Sequence, residues 1–271
     1  SLGSAVALSS LDLSKDKVVT LSSLSTVLSS LTGYDQGVVL SFRAFLTDVA
    51  GNKKEGSPSS NTLIIDTVVP TASLSYTVAG VLVSQVKQGT EVLVTATLSE
   101  PIAVAPVLQI TGSGSNTLSA VDMTRGSSTS YSYSWTVGVG DGNSNFVVSV
   151  GKDLAGNVIL ATPTSGGLII VDNTAPSLFT TGVVSVSGGE VESGYWNGSN
   201  SGLTVSVPIG NDVSLSGGTV EVEGRVGNGS YASLGSAVAL SSLDLSKDKV
   251  VTLSSLSTVL SSLTGYDQGV V

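Results

Sequence analysis

Glu91-Val-Leu-Val-Thr-Ala-Thr-Leu98 sets Val92, Val94, Ala96 and Leu98 at every second position, with Glu91, Thr95 and Thr97 between them. Side chains of an extended chain point alternately to opposite faces, so this stretch is a strand with one apolar and one polar side. The alternation returns at Leu40, Phe42, Ala44 and Leu46, and at Tyr131, Tyr133, Trp135 and Val137. It returns again at Phe146, Val148 and Val150, and at Leu203, Val205, Val207 and Ile209. Pro208 falls on the outward side of that last run, which predicts an edge strand. Asp141-Gly142, Asn197-Gly198 and Asn228-Gly229 separate the runs and predict tight turns with positive φ. Short alternating strands with frequent turns predict an all-β chain of the β-sandwich type.

One segment departs from this pattern. Leu21, Leu24, Leu28 and Leu31 sit at helical spacing, and Leu253, Leu256, Leu260 and Leu263 repeat it. A Ser-rich outer face offers a partner nothing specific, so a short helix sealing one sandwich edge is favoured over a partner-binding helix.

Composition narrows the function. Charged residues make up 11% of the 271 positions and the net charge is −9. A pI near 4.3 disfavours nucleic acid and anionic membrane surfaces and suits cations. Mean hydropathy is +0.39, yet no run approaches 18 apolar residues, so no membrane insertion by a helix is expected. The chain has no Cys and no His, which removes disulfide staples, most zinc sites and every Ser-His or Cys-His nucleophile. An enzyme is not expected.

The strongest signal is a duplication. Ser1–Val39 recurs without a change as Ser233–Val271, at an offset of 232 residues. Chance cannot produce a match of 39 residues, so the chain carries one period of a tandem repeat and an overlap into the next. A weaker similarity lies inside the period. Asp48-Val-Ala-Gly-Asn52, Leu63-Ile-Ile-Asp66 and Pro70 are answered by Asp153-Leu-Ala-Gly-Asn157, Leu168-Ile-Ile-Val-Asp172 and Pro176. Two domains thus end alike. Residues 70–171 are expected to form a complete domain B, residues 1–69 the back half of a domain A, and residues 172–271 the front part of the next domain A. The open edges of the half-domains are expected to be completed by neighbouring repeats of the same chain or by identical chains.

The Asp-x-Ala-Gly-Asn and Asp172-Asn-Thr-Ala-Pro176 elements, with Thr97-Leu-Ser-Glu-Pro101, resemble those of bacterial immunoglobulin-like (Big-type) repeats in giant cell-surface adhesins. Gly194-Tyr-Trp-Asn197 and Val207-Pro-Ile-Gly-Asn-Asp212 resemble a companion repeat of the same kind of protein. At Asp66-Thr-Val-Val-Pro70 the family's Ala is replaced by Val, so the two junctions are not fully equivalent. The resemblance implies tandem immunoglobulin-like β-sandwiches, an extracellular place on a bacterial surface, and a role as spacer or stalk of a long fibre. A self-assembling filament, sheath or S-layer subunit is the alternative, and a glycan-binding adhesin module a further one.

The resemblance also implies Ca²⁺ at domain junctions, and oxygen donors suited to it are present. Glu100, Asp153, Asn157 and Asp172 are expected at one end of domain B, and Asp48, Asn52 and Asp66 in the matching place of domain A. The same Asp-x-Ala-Gly-Asn stretches build a turn by themselves, through Asp and Asn side chains and a Gly at positive φ, and the sequence favours that turn over the metal. Glu190, Glu192, Glu221 and Glu223 could in principle supply a glycosidase pair, but Glu221 and Glu223 flank Val222 in an alternating strand and are expected to face solvent. Tyr195 and Trp196 are the candidates for stacking on a sugar ring.

Overall fold

The structure is a computed structural model and describes residues 2–9, 12, 17–22 and 24–266. Strands take 37% of the chain and helices 6%, so the protein is all-β. The chain divides into two compact units, Ser1–Val171 and Asp172–Val271. No helix among the described residues is long and apolar enough to cross a membrane.

The first unit opens with sparse structure. Helix α1 (Ser25–Ser29) precedes β1 (Val39–Leu40), β2 (Phe45–Thr47), β3 (Lys53–Glu55) and β4 (Leu63–Ile64). β1 pairs with β4 and β2 with β3, both antiparallel, forming one long hairpin. The alternating run from Leu40 to Leu46 does not become one buried strand: Phe45 and Leu46 are exposed.

Residues 70–171 form two five-stranded sheets around one core. One sheet contains β5 (Ala72–Val78), β6 (Val81–Leu82), β8 (Glu91–Leu98), β12 (Thr124–Arg125) and β13 (Ser130–Thr136), in the order β12-β13-β8-β5-β6. The other contains β7 (Gln85–Val86), β10 (Val107–Thr111), β11 (Leu118–Asp122), β14 (Gly142–Ser149) and β16 (Leu168–Val171), in the order β11-β10-β14-β16-β7. β9 (Ile102–Val104) and β15 (Lys152–Asp153) pair at one end. Val92, Val94, Ala96 and Leu98 of β8 are buried, as the alternation requires, and share one core with Phe146, Val148 and Ile169 of the opposite sheet. Trp135 meets Phe146 edge-on at 5.5 Å, and Tyr76 meets the same ring at 4.9 Å. Val150 leaves its expected face. Its φ of 69° turns the chain out of β14, and the side chain is exposed.

The second unit has a three-stranded sheet of β17 (Val184–Ser187), β18 (Gly202–Ile209) and β23 (Lys247–Ser254), in that order. Two small ladders stand beside it: β19 (Thr219–Val220) with β22 (Val238–Ala239), and β20 (Glu223–Gly224) with β21 (Ala232–Ser233). Helix α2 (Leu256–Ser261) follows β23 and contributes the fully buried Leu256 to the core. Pro208 lies on a central strand rather than an edge. β17 pairs only with Gly202–Val205, so its ladder has ended before it would need the N–H that Pro208 lacks. The turn glycines also shift: positive φ falls on Gly194 and Gly227 rather than on Gly198 and Gly229. At Asn197 the side chain makes the turn instead, its Oδ1 accepting from Ser199 N at 2.9 Å.

The repeated block behaves differently in its two places. In the second unit Leu240, Val251 and Leu253 are 5%, 1% and 6% exposed; in the first unit the identical residues Leu8, Val19 and Leu21 are 54%, 46% and 39% exposed. β18 lies against β23 in the second unit, and the described part of residues 2–38 has no such strand beside it. Burial of the block follows its neighbours, not its sequence.

Candidate functional site

Two turns of the same composition have the same geometry. In the first, Asp48 accepts from Asn52 N and from Asn52 Nδ2, each at 2.7 Å. In the second, Asp153 accepts from Asn157 N and Nδ2, each at 2.8 Å. Gly51 and Gly156 take φ of 90° and 96°, where a side chain is disfavoured. The local turn expected from the sequence is therefore present in both places. The side-chain and backbone bonds from Asn52 hold the Asp48 carboxyl below its ordinary range.

Their surroundings differ. Asp48 is exposed, whereas Asp153 is 2% exposed at the end of β15. Asp66, just beyond β4, and Glu100, in the turn after β8, each bring a carboxylate oxygen there, and one oxygen from each of the three acids lies within 4.8 Å of the others. Asn157 Nδ2 also reaches the Asp66 backbone O at 3.3 Å and its Oδ1 at 3.5 Å. Asp66 thus joins the domain B acids and not Asp48 and Asn52, with which its sequence position grouped it. Tertiary pairing is invisible to spacing: Asp66 lies on the short stretch that leads from β4 into β5, and β5 belongs to domain B.

The electrostatics follow from this crowding. Glu100 is raised, first by loss of solvent and then by the charges of Asp66 and Asp153. Burial pushes Asp153 upward, but the bonds from Asn157, Gly156 and Ala155 outweigh it and leave the carboxyl below its ordinary range. Among the described residues the ion pairs are Asp12–Lys17, Arg43–Glu55 and Asp244–Lys249, none of which neutralises this cluster. Oxygens 4.8 Å apart can flank one ion at about 2.4 Å each, a Ca²⁺ distance, and hard carboxylate and amide oxygens are the donors that ion takes. Asp66, Glu100, Asp153 and the Asn157 amide fit it as a set.

The remaining candidates lie apart from such chemistry. Asp172 accepts from Thr174 N at 3.0 Å. Trp196 packs against the core of the second unit, and Tyr195 is exposed. Their loop is held by buried Asn200, which accepts from Asn197 N at 2.7 Å and donates to Gly188 O at 2.9 Å and Glu190 O at 2.8 Å. Glu190, Glu192, Glu221 and Glu223 are exposed. Buried Asn116 was not singled out by sequence; it accepts from Gly138 N at 2.8 Å and donates to Val139 O at 3.1 Å. An isolated Asn between Ser and Thr carries no pattern that marks it. A search of protein-family models gives no match to the chain, and a search of curated proteins gives none either.

Proposed function

We propose that the chain is a structural repeat of a long extracellular fibre on a bacterial surface, in which tandem immunoglobulin-like domains act as spacer or stalk. The observation that carries this reading is the unchanged recurrence of Ser1–Val39 at 232 residues. Selection for a catalytic centre acts on a few residues; selection for reach multiplies whole modules. The two-sheet domain at 70–171, with no His or Cys in the chain, supports a mechanical role over a chemical one. Domain A, on this reading, is completed by neighbouring repeats or identical chains.

Scattering from a polypeptide carrying two consecutive periods tests the spacer role. Strands of about ten residues at about 3.3 Å each, in two domains with linkers, give an increase of about 70–90 Å in maximum dimension per period. An increase of less than half that contradicts it.

Calcium at the Asp66, Glu100 and Asp153 cluster fits the same reading, since an ion shared by the chain before β5 and the end of domain B stiffens the join. Ca²⁺ is expected to raise the melting temperature of the chain and chelator to lower it, with both effects lost in Glu100→Gln. An equal response in that variant sinks the calcium assignment. A self-assembling filament or sheath subunit is the second reading, and it is favoured by an apolar groove on the second unit.

A further inference from the structure

That groove has a volume of about 560 Å³ and is lined by Leu178, Phe179, Val207, Ile209, Val220 and Leu240. Leu178 and Phe179 on its rim are 105% and 59% exposed. The complete domain at 70–171 shows what belongs in such a place. There, β5, β8 and β13 form one sheet, and the β14–β16 hairpin provides much of the sheet that covers it. In the second unit β17, β18 and β23 repeat the first of these sheets, but β19 has β22 on one side and no further strand among the described residues.

The missing hairpin has a match elsewhere in the chain. β1 pairs with β4 as Val39 to Ile64 and Leu40 to Leu63. β14 pairs with β16 as Ser144 to Ile169 and Asn145 to Leu168. All four pairs of equivalent residues stand 105 positions apart (39 and 144, 40 and 145, 63 and 168, 64 and 169), as do Asp48 and Asp153, and Asn52 and Asn157. The hairpin of residues 39–65 is therefore the counterpart of the β14–β16 hairpin. Ile169 is fully buried, whereas its counterpart Ile64 is 68% exposed, and Leu46 is 64% exposed. One half of the chain has an apolar hairpin without a sheet to cover, and the other has a sheet without that hairpin.

We infer that the hairpin Leu40–Ile65 of a second copy seats in this groove. It brings its own Ser1–Val39 in place of the acceptor's Ser233–Val271. The exchanged blocks are identical, so the incoming block packs as the displaced one did, and burial of the hairpin and the groove is the net gain. Each copy uses a different surface as donor and as acceptor. The contact is heterologous and propagates into an open, head-to-tail filament. The inference rests on the proposal that identical chains complete domain A, and it assigns the segment and the seat.

Paired variants test it, because both surfaces are exposed and tolerate a charge in the isolated chain. Ile64→Asp disables the donor and Leu178→Asp the acceptor. Chains unfolded together in denaturant and refolded together at increasing concentration are sized by light scattering. Wild type is expected to give a series of multiples of 27.1 kDa, and each variant alone a single 27.1 kDa species. An equimolar mixture of the two is expected to stop at twice 27.1 kDa, since one intact donor meets one intact acceptor. If either variant melts below wild type, Leu46→Asp and Phe179→Asp replace the pair. A wild type that remains at 27.1 kDa, a variant that assembles as wild type does, or a mixture without the dimer overturns the inference. The spacer reading survives each of these results, because it falls on the length gained per period and not on exchange.

Discussion

Asn52 and Asn157 each donate from backbone and side chain to the Asp four residues before them, but Asn157 also reaches Asp66 and lies partly buried. Truncating a partly buried amide that serves carboxylates costs about 1.5 kcal/mol, so Asn157→Ala is expected to destabilise the first unit by that amount in urea unfolding. Asn52→Ala, in the exposed copy of the turn, is expected to cost less than about 0.5 kcal/mol. Equal costs would mean that the link to Asp66 contributes nothing.

The acids also set a pH response. Asp244 is held at about 2 by its bonds from Lys249 and Ser241, and Asp12 at about 2 by those from Ser9 and Lys17. Asp48, Asp153 and Asp212 are lowered as well. A carboxyl whose folded pKa is depressed stabilises the fold above its ordinary 3.8, and that contribution disappears as pH falls through the folded value. Urea midpoints are therefore expected to drop steadily between about pH 4 and pH 2. Glu100 runs the other way. Its raised pKa favours the fold below the ordinary 4.5 and loses that advantage as pH rises, so without divalent cation a shallow decline above that pH is expected, removed in Glu100→Gln. A midpoint that does not change between pH 4 and pH 2 contradicts the hydrogen-bonded turns. The turns themselves were legible in Asp-x-Ala-Gly-Asn, because all their bonds close within five residues. The meeting of Asp66 with Glu100 and Asp153 was not, because it is set by how β4, β8 and β15 end in space.

At the scale of elements, period-two alternation located β8, β13 and β18 and their buried faces, since a strand inside a two-sheet core leaves the alternation little freedom. It overreached where the covering layer is missing or the backbone turns. Phe45 and Leu46 stay exposed, and Val150 rotates out at positive φ. Gly166 was overlooked although its φ is 69° and a Cβ there would lie 2.0 Å from Leu74 O, a close approach that nothing in Ser165-Gly166-Gly167 announces. The helical spacing of the leucines does yield α1 and α2, and the packed α2 begins one residue earlier in the repeated block than α1. The block itself supplies an internal control on packing. Leu240→Ala is expected to cost about 3 kcal/mol in the unfolding of the second unit, as for a buried Leu in a core. Leu8→Ala, the same residue of the block, is expected to cost less than about 0.5 kcal/mol. Similar losses at the two positions would show that the first block is packed after all.

At the scale of the whole molecule, an unchanged 39-residue recurrence says more than any single site, because it fixes the period without reference to chemistry. The structure adds what the repeat lacks in each place: a groove in the second unit, and an uncovered hairpin and block in the first. Both deficits are met by joining one unit to the next, through a continuous chain or through exchange between copies. A fibre built this way gains reach with each period and needs no new chemistry. The mass of the intact native polypeptide, recovered from the surface of the cells that make it, tests that claim most directly. The account predicts surface material far above 27.1 kDa, as a chain lengthened in steps of 232 residues or as filaments of assembled subunits. A compact 27.1 kDa monomer recovered from the cell interior would contradict it.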